Sequence, residues 1–106
     1  MIKPEQEKEF YRLIGMISKM AVKVNNETTY CVFFTFHGHV DNIDIYVTPS
    51  KERYHDKIID EEFYTVLGDQ EGSHKHVSID DLKRSYRLLS GLLDENVNIA
   101  ELLRAA

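Results

Sequence analysis

The hydrophobic period of this chain switches within a few residues from that of a helix to that of a strand, and the switch restricts the fold to helices laid on a sheet. Phe10, Leu13, Ile14, Ile17, Ala21 and Val24 fall at i, i+3, i+4, i+7, i+11 and i+14, which is one continuous apolar stripe. Glu7, Glu9, Arg12, Ser18, Lys19 and Lys23 fill the other faces. Pro4 suits a first turn, and Glu5, Glu7 and Glu9 sit at the end whose dipole favours negative charge. The helix is expected to stop near Val24, because Asn25 and Asn26 are turn formers. From Thr28 the period changes to two: Tyr30, Val32, Phe34 and Phe36 alternate with Thr29, Cys31, Phe33, Thr35 and His37 in a run dominated by β-branched and aromatic residues. Ile43, Ile45 and Val47 repeat it against Asp44, Tyr46 and Thr48. Gly38 and Asp41-Asn42 supply turn chemistry between the two runs, so they predict an antiparallel hairpin, which Pro49 ends.

Further along, Glu62 to Leu67 reads as a third strand closed by Gly68, and Asp69 to His76 as a polar loop. Ser50 to Asp60 fits either a short helix capped by Ser50 or a loop running into another strand. Ser78 with Asp81 and Val77 with Leu82 form a helix-start signature, followed by a stripe through Ile79, Leu82, Tyr86, Leu89 and Leu93 to about Asp94. Asn98 with Glu101 and Val97 with Leu102 repeat it for a short final helix to Arg104. The order α-β-β-β-α-α predicts an α+β, two-layer domain: a three-stranded antiparallel sheet with helices on one face. At 106 residues the chain suits a single domain spanning 1–106.

Charge and motif content narrow the chemistry. Val24 to Gly72 holds three Lys/Arg against ten Asp/Glu, so the acidity of a chain of net charge −5 sits in its middle third. That field repels polyanions, so nucleic-acid binding is not expected. No apolar run approaches the ~20 residues of a membrane span, and no secretory leader is expected in Met1 to Phe10. Cys31 is the single cysteine, and the chain is read as cytoplasmic. No cofactor is expected: the five glycines are scattered with no phosphate-cradling motif, and Asp94-x-Asn96-x-Asn98 lacks the glycine and the terminal glutamate of a calcium loop. Asp60-Glu61-Glu62 reads as a solvated loop run. His37 and His39 would leave one face of a regular strand together and could chelate zinc, with His74 and His76 as remoter contributors. His37-x-His39-x-Asp41 is similar to the start of the metallo-β-lactamase metal motif, but Asn42 stands where that family has His.

The remaining candidate is the second face of the hairpin. If helices cover Ile43, Ile45 and Val47, then Asp44, Tyr46 and Thr48 point away from them. Tyr30, Val32, Phe34 and Phe36 form a set too apolar to leave in water, so Phe33 and Tyr46 are expected to face outward, with an acidic rim from Asp41, Asp44 and Asp60 to Glu62. The expected partner-binding residues are Phe33, Tyr46, Asp44 and Asp41. The order α-β-β-β-α resembles the double-stranded-RNA-binding domain, but Ile79-Asp80-Asp81 stands where that module is basic, so its function does not carry over. In topology and charge alone, the chain resembles small acidic phage-encoded inhibitors that mimic nucleic acid to block Cas9. The expectation is a small acidic cytoplasmic binding or regulatory protein without catalysis, of a kind phages encode. It would meet a protein partner or a second copy through the open sheet face. The alternative is a metal-binding protein or metal-assisted hydrolase using His37 and His39.

Overall fold

The computed structural model describes residues 4–64 and 79–106. Its elements are α1 (Pro4–Glu27), β1 (Cys31–His37), a 3-10 turn (Gly38–Val40), β2 (Asn42–Thr48), β3 (Ile59–Tyr64), α2 (Ile79–Gly91) and α3 (Ile99–Ala105). Three helices and a three-stranded antiparallel sheet in the order α-β-β-β-α-α make the predicted α+β class. The sheet order is β1-β2-β3, which places β2 in the centre.

The core is the helical stripe meeting the pleat. Phe10, Leu13, Ile17, Ala21 and Val24 are buried along α1, and Leu82, Leu88 and Leu89 along α2, against Ile43, Ile45 and Val47 of β2 and Ile59 and Phe63 of β3. The strand residues in that set share one parity, as a half-covered sheet requires. Register follows: Val32, Phe34 and Phe36 of β1 stand opposite Val47, Ile45 and Ile43. They therefore lie on the covered face, as expected.

Boundaries differ from the sequence reading in three places, each with a local cause. Helix α1 runs past Val24 to Glu27. Asn25 is kept inside it because its Oδ1 accepts the Val32 N–H at 3.0 Å, and Thr28 closes the end by donating from Oγ1 to the Val24 carbonyl at 2.7 Å. Lys23 then pairs with Glu27, one turn on, at 3.8 Å. At the other end of α1 the Arg12 guanidinium donates from Nε to Glu9 at 2.9 Å and holds that carboxyl below the ordinary carboxylate range.

Strand β3 begins at Ile59, three residues before the predicted Glu62, and its far predicted end, 65–67, lies outside the described residues. The Ile58 N–H donates to the Val47 carbonyl at 2.8 Å and starts the pairing early. The predicted solvated run 60–62 is consequently part of a strand. Its carboxylates alternate: Asp60 stands opposite Tyr46 and Glu62 opposite Asp44 on the outer face, while Glu61 stands opposite Ile45 on the helix side and pairs with Arg84 of α2. Alternation of three acids is tolerated because the inward one has a cation and the outward two reach solvent.

Helix α2 stops at Gly91 rather than Asp94, and turn-like bonds from Leu92, Leu93 and Asp94 to Leu89, Ser90 and Gly91 follow it. A Cβ on Gly91 would stand 2.6 Å from Leu102 Cδ1, so glycine lets α3 lie close. Asn98 caps α3 as read, accepting the Glu101 N–H at 3.1 Å. The predicted cap at Ser78 and the loop 69–76, with His74 and His76, lie outside the described residues.

Candidate partner-binding surface

The outer face of the sheet is built by the same pleat that builds the core. Each residue between two inward ones points away from α1 and α2, so Phe33, Thr35 and His37 join Asn42, Asp44, Tyr46 and Thr48 and, on β3, Asp60 and Glu62. Phe33 and Tyr46 are direct partners in the register, and their rings stack with centroids 4.3 Å apart and planes at 14°. Both are half-buried. Aromatic pairs opposed across antiparallel strands strengthen a sheet by a fraction of a kcal/mol to about 1 kcal/mol, so this pair serves the hairpin as well as any partner.

Lys57 stands over the Tyr46 ring, with Nζ 4.4 Å from the centroid. The Phe33 ring already lies on one side of Tyr46, so the ammonium takes the other, and the phenol ring is held between an arene and a cation. Lys57 also pairs with Asp60 at 3.8 Å. No sequence signal marked Lys57, because 50–58 has no hydrophobic period to fix where its side chains go.

The polar residues of this face are tied across the strands. His37 Nε2 lies 2.9 Å from Asp44 Oδ2, and Asn42 Nδ2 donates to Glu62 Oε1 at 2.7 Å. Thr48, fully buried, donates to the Ser50 carbonyl at 3.0 Å. Each of these carboxylates still has lone pairs free for a further donor.

Of the residues expected to bind a partner, Phe33, Tyr46 and Asp44 come together: the first two touch, and Asp44 is next along the same face, opposite Thr35. Asp41 does not join them. It sits in the hairpin turn in the left-handed region, φ 51° and ψ 52°, about 16 Å along the strand from Tyr46. Asp60 and Glu62, from the acidic run, complete the rim instead.

The strand ends at His37, and His39 belongs to the exposed 3-10 turn, so the two imidazoles do not share the face of a regular strand. Among the described residues no three His, Cys, Asp or Glu side chains come together in a way that could hold a metal ion. Cys31 is a half-buried free thiol.

One apolar feature was missed. Phe36 was expected beneath the helices with Val32 and Phe34, yet it is 58% exposed. It is on the predicted face, but the covering layer does not reach the end of the hairpin there. With Phe10, Tyr11, Ile14, Phe34 and Ile43 it lines an open groove of about 380 Å³ between the start of α1 and β1. Tyr11, adjacent to the core stripe, is 64% exposed at that groove. The signal that could have found it is density: aromatics crowd both Phe10-Tyr11 and Phe33 to Phe36.

Among the described residues no helix is long and apolar enough to cross a membrane. No family model, curated protein or solved structure matches the chain.

Proposed function

We propose that this is a small binding or regulatory protein of the cytoplasm, of a kind a phage would encode, that acts without catalysis by docking a basic segment of another protein on the outer face of its sheet. The observation that carries this reading is the Phe33–Tyr46 stack with Lys57 on its free side, bordered by Asp44, Asp60 and Glu62. An arene with a cation already seated on it, inside a ring of carboxylates, suits the Arg or Lys of a partner, which would displace Lys57 and gain the same contacts. Aromatic surface gives such a site its contact area at little entropic cost, and the rim steers approach.

The test is affinity capture from the native host, comparing wild type with the double substitution Phe33→Ala/Tyr46→Asp and with Lys57→Ala, each first checked for native circular dichroism. The expected outcome is a protein bearing a basic segment that the wild type recovers, the double variant loses and Lys57→Ala retains or enriches. Equal recovery by wild type and the double variant overturns the assignment.

A further inference from the structure

The two edges of the described sheet are chemically opposite. The strand Ile59–Tyr64 carries three consecutive carboxylates, a common device against edge-to-edge pairing. The strand Cys31–His37 carries no Lys, Arg, Asp, Glu or Pro, and its pairing with β2 runs without a bulge over all seven residues. Among the described residues β1 pairs on one side only. The Val32 N–H goes to the side chain of Asn25 rather than to β2, so it points to the free edge. By the period of two, Phe34 and Phe36 direct their N–H and C=O groups the same way. The side chains of those same two residues line the groove with Phe10, Tyr11, Ile14 and Ile43.

We propose that a second copy of this chain pairs on this edge, β1 against β1 antiparallel about a two-fold axis at Thr35, joining two three-stranded sheets into one of six. Three observations select a second copy over another occupant. First, the edge offers outward main-chain groups at Phe34 and Phe36 and is closed at Val32 by Asn25, so the available stretch is centred on Thr35. A two-fold there sets Phe34 of each copy opposite Phe36 of the other, and each exposed Phe36 enters its partner's groove, the reciprocal fit that an isologous interface needs. Second, edge and groove lining are uncharged, so a neutral apolar strand matches them, whereas a basic segment is drawn to the outer face. Third, the area suits reversible self-association. Tyr11 and Phe36 are 64% and 58% exposed, which leaves on the order of 250 Å² of ring surface per copy. Even with the strand backbone added, this falls below the roughly 800 Å² per partner of a standard interface, so the dimer forms and dissociates with concentration.

Sedimentation velocity from about 1 µM to 1 mM tests this, a range chosen for a sub-standard interface. Wild type is expected to pass from monomer to dimer, and Phe36→Glu, at an exposed position, to need at least tenfold higher concentration. Tyr46→Ala, altered only on the outer face and on the central strand away from the edge, is expected to dimerise as wild type does. A second measurement does not rely on Phe36. In the two-fold pairing Thr35 faces its own copy in a non-hydrogen-bonded pair, with Cα atoms about 4.5 Å apart, within reach of a disulfide. Thr35→Cys in a Cys31→Ser background is expected to cross-link under mild oxidation at least tenfold faster than Asp60→Cys in the same background. A wild type that stays monomeric throughout, a dimer indifferent to Phe36→Glu or lost in the outer-face variant, or equal cross-linking at the two cysteines overturns the proposal.

Discussion

Ser85 shows how a buried side chain can be tolerated for its size rather than its chemistry. It sits in the middle of α2, is 2% exposed, and its Oγ has no hydrogen-bond partner among the described residues. A hydroxyl desolvated in that way costs about 1 kcal/mol or more, and alanine, of nearly the same volume, removes the cost and is the better helix former. Ser85→Ala is therefore expected to stabilise the protein by about 0.5–1.5 kcal/mol, read as a shift of the urea midpoint at unchanged slope. A lower midpoint would mean that the hydroxyl has a partner in solution. Phe36 is the complementary case, an apolar residue left in water. Its parity was legible in the sequence, since alternation from Tyr30 fixes its face. Its exposure was not, because a pattern along one strand does not say how far a helix from elsewhere reaches across it. For the same reason the Phe33 and Tyr46 orientations were legible and Lys57, in a segment with no period, was not.

Among the secondary structures, legibility followed the strength of the periodic signal. The stripe of α1 and the alternation of β2 placed Phe10, Leu13, Ile17, Ala21, Val24, Ile43, Ile45 and Val47 in the core, though Ile14 is only partly buried and Thr48, read on the open face, is fully buried; the Asn98 cap located α3. Strand β3 was displaced because its inward positions are Ile59, Glu61 and Phe63, so a carboxylate breaks the alternation a strand is recognised by. Only the tertiary partner explains it: Glu61 is paired with Arg84 across the layers, with side chains 23% and 34% exposed. This contact ties α2 to β3, and it should behave as a pair rather than as two separate charges. Solvent reaches both groups, so their coupling is set at about 1 kcal/mol, the upper end of surface pairs. In a double-substitution cycle of Glu61→Gln and Arg84→Met, Glu61→Gln alone is expected to destabilise by about 1 kcal/mol, and the double variant to be more stable than the sum of the two. Additive effects would mean that the pair contributes nothing and that α2 is held to the sheet by its leucines alone.

The two proposed surfaces respond to salt with opposite sign, because net charge opposes one association and assists the other. The molecule measures 42 × 25 × 23 Å, and the 24 residues of α1 span about 36 Å. Two copies joined edge to edge, each of charge −5, have centres about 25 Å apart and repel by about 4 kcal/mol in unscreened water. At 0.01 M salt, where the Debye length is about 30 Å, about 2 kcal/mol of that survives; at 0.15 M, where it is about 8 Å, only about 0.2 kcal/mol does. Raising salt across that range should therefore tighten the dimer by about tenfold, since the contact itself is neutral and loses nothing to screening. A basic partner drawn to Asp44, Asp60 and Glu62 follows the reverse course, its association slowing severalfold over the same interval. Self-association followed by sedimentation, and partner binding followed by stopped flow, separate the surfaces within one salt series. A dimer that weakens as salt rises would place its contact among charged groups, away from β1, and a partner whose on-rate ignores salt would be held by the Phe33–Tyr46 stack without help from the rim.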